Sequence, residues 1–123
     1  MIGVLATSAN ADDTITGGSG ADFINAREGN DTLIGGAGAD NLSGEGGNDL
    51  LIAEASDALS EGGDGTDDIV RFSASVGTDL TDSELVNVER VEITTSTAGS
   101  YDFSGQTEGL RITGGVAADT IRA

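Results

Sequence analysis

The 123-residue sequence contains no cysteine, histidine, proline or tryptophan. Without cysteine the chain has no disulfide, no thiolate metal ligand and no cysteine nucleophile. Without histidine it lacks the usual general base and the imidazole ligand of zinc sites. These absences exclude the commonest catalytic and zinc-binding arrangements, and we predict that the chain is not an enzyme.

Positive charge and apolar content are also scarce. Five arginines and no lysine stand against 22 acidic residues, so the formal net charge is −17. Nucleic acids and anionic membranes attract positive charge, and no apolar run is long enough to span a bilayer, so we expect no nucleic-acid partner and no membrane insertion. Aromatic residues make up 3% of the chain. Such a composition is typical of disorder unless a bound cation offsets the repulsion.

A period of nine residues runs through the first half of the chain, from residue 8 to residue 70. Position six of the repeat is aspartate in six of seven units: Asp13, Asp22, Asp31, Asp40, Asp49 and Asp67. Position eight is a large apolar residue in the same units: Ile15, Ile24, Leu33, Leu42, Leu51 and Ile69. The sixth unit, residues 53–61, has Ala58 and Ser60 instead, and we interpret it as a degenerate turn in an unbroken frame, where Asp57 could substitute for the missing aspartate. A further copy at 114–122 has Asp119 at position six.

The repeat predicts a β-solenoid. Its six glycine-rich positions can turn tightly, and the last three, such as residues 32–34, have the composition of a short strand. The apolar residue at position eight would then point inward. Two units would make one coil with a strand on each side, and stacked Ile and Leu side chains would fill a narrow core between two parallel sheets.

The same spacing gathers carboxylates at the turns. Aspartates on one edge recur one coil apart, at about the 4.8 Å spacing of neighbouring strands. Like charges at that distance are unfavourable, whereas Ca²⁺ takes six to eight oxygen ligands from carboxylates and carbonyls. We therefore predict cations between neighbouring turns, at the following pairs: Asp13 with Asp31, Asp31 with Asp49, Asp49 with Asp67, and Asp22 with Asp40.

Two units, residues 17–25 and 35–43, match every fixed position of the pattern G-G-x-G-x-D-x-U-x, where U is a large apolar residue. This pattern resembles the nonapeptide of the RTX calcium-binding proteins. The resemblance implies a right-handed parallel β-roll that binds Ca²⁺ and belongs to a secreted bacterial protein. It also implies type I secretion and folding outside the cell or at its surface. The implied ligands are the six aspartates together with backbone groups at Gly18, Gly20, Gly29, Gly36, Gly38 and Gly47.

We divide the chain into a lead-in (1–7), the β-roll (8–70), irregular and wider β rungs (71–113), and the start of a further repeat (114–123). Strands are predicted at 70–72, 101–103 and 110–112, and residues 86–93 fit either one bulged strand or two short ones. Few of these rungs should bind Ca²⁺. We expect the last repeat to be truncated, so that open solenoid ends would permit self-association.

Two alternatives to a Ca²⁺-folded module remain open. The segment could be the structural or adhesive part of a surface-layer protein or giant adhesin. It could also be an accessory module of an extracellular enzyme whose catalytic domain lies elsewhere. The glycine-rich turns lack the lysine that a phosphate-binding P-loop needs. Glu89 and Glu92 fit solvated strand carboxylates better than a catalytic pair.

Overall fold

A computed structural model describes residues 5–7, 10–54, 57, 59–72, 79–81, 85–94, 100–105, 109–115 and 120–122. In these residues the regular structure is entirely β, and none forms a helix that could cross a membrane. The strands are β1 (Leu5–Thr7), β2 (Thr14–Ser19), β3 (Phe23–Glu28), β4 (Thr32–Ala37), β5 (Asn41–Gly46), β6 (Leu50–Ala53), β7 (Leu59–Gly63), β8 (Ile69–Phe72), β9 (Asp79–Thr81), β10 (Leu85–Val86), β11 (Arg90–Ile93), β12 (Ser100–Gly105), β13 (Arg111–Thr113) and β14 (Thr120–Arg122).

Every strand pairing that the structure describes is parallel, and consecutive strands of the repeat go to opposite sheets. One sheet has the order β1-β3-β5-β7-β10, a second β13-β11-β8-β6-β4-β2, and a third β14-β12-β9. A chain that alternates between parallel sheets in this way coils as a solenoid, here of about four turns. The predicted all-β parallel solenoid is confirmed.

One coil of the repeat region consists of two nonapeptides, as predicted. Leu33 in β4 pairs with Ile15 in β2 on one side and with Leu51 in β6 on the other, so each strand lies beside the strand two units away. Ile24, Leu33, Leu42 and Leu51 are fully buried. Position eight therefore fills the narrow core between the sheets, as the sequence predicts. The degenerate unit places the small polar Ser60 at the same level, 2% exposed.

The strands are longer than predicted. In β4 the strand continues past residues 32–34 through Gly35, Gly36 and Ala37, and the pairing with β2 includes Gly18 with Gly36. The turn that follows is reduced to residues 38–40. At Gly35 the chain passes close to the aspartate of its own unit, because a Cβ there would lie 2.5 Å from the Oδ2 atom of Asp40.

The unbroken frame is wrong at the seventh unit. Leu51 pairs with Val70 rather than with Ile69, so Val70 is fully buried while Ile69 is half-buried. The backbone N–H of Thr66 donates to Asn48, 18 positions earlier, as in the regular frame. The bond from the N–H of Asp49 to Asp68 spans 19 positions. The extra residue is therefore Asp67.

Asp67 lies at the surface rather than in the ladder. Its side chain is 51% exposed, and its Oδ1 atom lies 3.4 Å from Nε of Arg90. Asp68 is fully buried and takes the place in the ladder that the sequence frame assigns to Asp67. The predicted pairing of Asp49 with Asp67 is thereby replaced by one of Asp49 with Asp68.

The second half has wider coils, as predicted. Val70, Val91 and Ile112 are consecutive partners in one sheet, and each step between them is three positions longer than two nonapeptides. The third sheet appears here, and the wider interior buries aromatic side chains, Phe72, Tyr101 and Phe103.

Residues 86–93 form parts of two short strands, the second of the two predicted alternatives, and Asn87 separates them with φ of 49°. Strands predicted at 70–72, 101–103 and 110–112 correspond to β8, β12 and β13. In the predicted last repeat only β14 and residues 114–115 are described, and Asp119 lies outside the described residues.

Candidate functional site

Each turn of the repeat ends on an aspartate that points into the protein. The buried ones, with their exposed fractions, are Asp22 (3%), Asp31 (2%), Asp40 (0%), Asp49 (1%) and Asp68 (0%). Asp13, in the first coil, is half-buried. Ionised carboxylates are rarely buried without a partner, because removing the charge from water is costly. A row of five such groups therefore needs an explanation.

On one edge of the solenoid these aspartates form a ladder. The backbone N–H of Asp13 donates to Oδ1 of Asp31 at 2.7 Å, and the N–H of Asp31 donates to Oδ1 of Asp49 at 2.8 Å. The next bond runs from the N–H of Asp49 to Oδ1 of Asp68 at 2.7 Å. The structure thus brings together two of the predicted pairs on this edge and replaces the third.

The opposite edge has a shorter ladder. The N–H of Asp22 donates to Oδ1 of Asp40 at 2.8 Å, and that of Asp40 donates to Oδ1 of Asp57 at 3.3 Å. Asp57 therefore occupies the place in which the sequence predicts a substitute aspartate. Its Oδ2 atom accepts a second bond, from the N–H of Glu54 at 2.7 Å. Both oxygens of Asp57 are thus engaged, so it is a weaker candidate ligand.

The second carboxylate oxygen is what distinguishes the other aspartates. The Oδ2 atoms of Asp31, Asp40, Asp49 and Asp68 are buried and accept no hydrogen bond. A buried anionic oxygen without a donor costs free energy and needs a positive charge nearby. Against the Oδ2 atoms of Asp40, Asp49 and Asp68 lies a glycine of the same unit, as Gly44 does at Asp49.

The donor set fits a hard cation. Carboxylate and backbone carbonyl oxygens are the ligands that Ca²⁺ prefers in proteins. Among the described residues, no group of three or more acidic side chains could hold a metal ion alone. A cation at these turns must therefore draw on backbone carbonyls as well as on aspartate Oδ2 atoms. The assignment of each aspartate as a ligand stays a prediction.

Glycine is required in these turns by backbone conformation. All six glycines of the predicted site have positive φ: Gly18 (120°), Gly20 (120°), Gly29 (138°), Gly36 (99°), Gly38 (149°) and Gly47 (121°). At Gly36 a Cβ would also collide with the carbonyl oxygen of Gly18 in the preceding coil. Only glycine combines this conformation with so close an approach between turns.

Burial disfavours the charged form of these carboxylates. Burial above all, together with the charges of Asp68 and Asp31 and against the hydrogen bond that Asp49 accepts, raises the pKa of Asp49 to about 6. Burial likewise raises the pKa of Asp57 to about 6. The pKa values of Asp31 and Asp68 are raised for the same first reason. A bound cation would reverse this preference.

The comparison with known protein families agrees with this geometry. The family model of the RTX calcium-binding nonapeptide repeat, which contains four copies, matches residues 8–42 and again residues 26–57. Residues 8–57 carry RTX calcium-binding nonapeptide repeats. RTX nonapeptide repeats bind calcium, so the predicted cofactor is confirmed. No curated protein and no solved structure matches the chain.

Sequence reasoning missed a second ladder beside the RTX aspartates. The N–H of Asn30 donates to Oδ1 of Asp12 at 2.8 Å, that of Asn48 to Oδ1 of Asn30 at 2.9 Å, and that of Thr66 to Oδ1 of Asn48 at 3.0 Å. These residues are position five of alternate units, so the polar sequence Asp, Asn, Asn, Thr was a usable signal. The ladder holds successive turns in register.

Two arginines of the wider coils pair with acids. Arg71 lies 2.7 Å from Oε2 of Glu92, and Arg90 bridges Asp67 and Glu92 at 3.4 and 3.8 Å. Glu92 is thus occupied by two arginines. Glu89 was predicted to be a solvated strand carboxylate, but its Oε2 atom accepts the N–H of Asp68 at 2.8 Å.

Proposed function

We propose that this chain is a calcium-dependent folding module, in which Ca²⁺ binding and formation of the RTX β-roll are one linked event. The observation that supports the proposal is the set of four buried Oδ2 atoms that accept no hydrogen bond, on Asp31, Asp40, Asp49 and Asp68. Each of them needs a positive partner to make burial of its carboxylate favourable. The chain carries five basic residues against 22 acidic ones. Metal ions are therefore the natural partners.

The balance between a small core, carboxylate repulsion and calcium binding favours a calcium-dependent switch between unfolded and folded states. The core of the repeat has one large apolar side chain per strand, so it offers little free energy to oppose carboxylate repulsion. A ligand that binds only the folded state stabilises it by about 2.7 kcal/mol per site at 100 times its dissociation constant. Extracellular calcium modules bind at about 10⁻⁴ to 10⁻³ M. Several such sites would exceed the marginal stability of a small domain.

The proposed location follows from the same requirement. Proteins with RTX repeats are typically secreted by the type I route. We propose that this chain also leaves the cell, unfolded where Ca²⁺ is scarce and folded where it is abundant. RTX repeats are a structural calcium-binding module rather than a catalytic one. We therefore assign no reaction to this chain, and a catalytic domain of the same protein would lie in another segment.

A structural or adhesive role is the second candidate. β9 and β14 are the two edge strands of the third sheet that the structure describes. An edge strand presents backbone N–H and C=O groups with which a strand of a second solenoid can pair. Such self-association would suit a surface-layer protein or an adhesin. Calcium-induced growth of the sedimentation coefficient would support this role, and a calcium-folded monomer would contradict it.

A circular dichroism titration tests the main proposal. The far-UV β signal is expected to be weak in calcium-free buffer, to rise cooperatively with Ca²⁺, and to disappear again with a chelator. Mg²⁺ at the same concentration serves as the control, because it prefers a smaller octahedral site. A full β signal in excess chelator would contradict the switch.

A further inference from the structure

In the turn before β8, as in the RTX turns, a buried carboxylate oxygen has no hydrogen-bond partner. The coil that follows this turn contains no nonapeptide. Asp68 is 0% exposed, its Oδ1 atom accepts the N–H of Asp49, and its Oδ2 atom is buried without a hydrogen-bond partner. The family match ends at residue 57, before this turn. Any side chain that acts with Asp68 on its far side must therefore come from this wider coil.

Glu89 takes the place of the missing aspartate. Its Oε2 atom accepts the N–H of Asp68 at 2.8 Å, just as Oδ1 of Asp49 accepts the N–H of Asp31 at 2.8 Å. The backbone continues in the same register, because the N–H of Arg90 donates to the carbonyl of Asp68 at 3.0 Å. Glu89 thus stands one coil beyond Asp68, on the same edge and in the same relation.

Backbone carbonyls repeat the pattern too. In the repeat, the carbonyl oxygen of Gly62 lies 2.6 Å from where a Cβ on Gly44 would be. One coil further, the carbonyl oxygen of Asn87 lies against Gly62 in the same manner. Asn87 has φ of 49°, a conformation that asparagine tolerates better than most residues. From Leu85 to Val91, which stand at the core positions of β10 and β11, the chain takes six positions instead of the nine of a repeat unit.

We infer that Asp68 and Glu89 hold a further Ca²⁺, at the end of the nonapeptide repeats, with backbone carbonyls of residues 62–68 and 87–89 completing the ligand set. The inference rests on the proposed calcium-binding function. Because the connection through residues 87–89 is three positions shorter than that of a repeat unit, the longer side chain of glutamate takes the place of aspartate. This site joins the RTX coils to the first wider coil.

No basic side chain among the described residues already supplies the positive charge. Arg90 is adjacent to Glu89 in sequence, but its Nε lies 3.4 Å from the exposed Asp67 and its Nη2 lies 3.8 Å from Glu92. Arg71 is bound by Glu92.

Glu89→Gln in the intact chain tests the site. The glutamine amide oxygen can still accept the N–H of Asp68, so the hydrogen bond is kept while the ligand charge is lost. Calorimetric titration is expected to show one bound Ca²⁺ fewer per chain than the wild type. Glu92→Gln is the matched control, because it removes the same charge three residues on, beside arginines, and should keep the wild-type count.

The outcomes separate this inference from the proposed function. If the wild type binds no Ca²⁺, the proposed function fails and this site with it. If the wild type binds Ca²⁺ and Glu89→Gln binds as many ions, only this site is wrong. An equal loss in Glu92→Gln would also overturn it, since charge alone would then be responsible. Asp68→Asn, which keeps the bond from Asp49, is a second variant, and a full calcium count there would contradict the assignment as well.

Discussion

The RTX region and the wider coils build one solenoid with two different interiors. Between residues 10 and 57 the core consists of single large aliphatic side chains such as Leu33 and Leu42, and buried carboxylates occupy the turns. From residue 69 onward the described steps along the second sheet are three positions longer than two nonapeptides, and Phe72, Tyr101 and Phe103 fill the interior. Under the proposed function, the first region needs cations at its edges, whereas the second is stabilised chiefly by its core.

Magnitudes support this division. Fully burying a phenylalanine or leucine side chain contributes about 1.5–3 kcal/mol. Leaving one carboxylate buried without a partner costs several kcal/mol, so a single such group cancels one or two core residues. In the wider coils that the structure describes, Arg71 and Glu92 pair near the surface, where the charges remain partly solvated. Calcium should therefore matter most where the core is narrowest.

Calcium removal is expected to have the largest effect. Amides of residues 14–52 should lose protection from hydrogen exchange by more than about 100-fold in calcium-free buffer, the signature of local unfolding. Residues 90–93 and 111–113 should lose less, because their strands are held by the aromatic core. Hydrogen exchange with mass spectrometry measures both regions in one sample. An equal loss of protection in both regions would contradict this division and show that they unfold as a single cooperative unit.

The second-largest effect is expected from the loss of a single buried carboxylate. Asp49→Asn removes a buried charge that faces two neighbouring turns, so the Ca²⁺ midpoint of folding should rise about tenfold, equivalent to about 1.4 kcal/mol. Asp67→Asn is the matched control, since its side chain is 51% exposed and paired with Arg90. Its midpoint should stay within about twofold of the wild type, as surface ion pairs contribute little. A larger shift in Asp67→Asn than in Asp49→Asn would restore the frame expected from sequence.

Acid should partly replace calcium. The folded pKa values of Asp49 and Asp57 are raised to about 6 from 3.8, so the folded state binds protons more tightly than the unfolded chain. In calcium-free buffer the free energy of unfolding should therefore increase as the pH falls from 7 through 6 towards 4, and decrease again on return. Urea unfolding at these pH values measures it, with Asp49→Asn as the variant that should respond less. A stability that falls steadily from pH 7 to pH 5 would contradict the carboxylate assignment.

The sequence predicted the repeat region well because each position has a local requirement. An aspartate at position six and an apolar residue at position eight identify the edge and the core regardless of distant contacts. The prediction was wrong at residues 67–70. Two frames fit the pattern equally there, because either Asp67 and Ile69 or Asp68 and Val70 could stand at positions six and eight. Pairing across the sheet decides between them, and it cannot be read from a local motif. The role of Glu89 was missed for the same reason, since its partner Asp68 lies a whole coil away in the chain.

The smallest effect concerns position two of the repeat, where Gly18 and Gly36 have positive φ. Arg27 stands at this position with φ of 76°, a left-handed conformation that costs a non-glycine residue about 1–2 kcal/mol. Arg27→Gly should therefore raise the free energy of unfolding by about 0.5–1 kcal/mol, after the entropy cost of glycine is subtracted. Urea unfolding in saturating Ca²⁺ and about 1 M salt, which screens the lost charge, measures it. Ala37→Gly, at a β4 position without positive φ, is the control and should lower stability by about 0.5 kcal/mol. If Arg27→Gly lowered the free energy of unfolding as Ala37→Gly does, the left-handed conformation of Arg27 would carry no strain that glycine relieves.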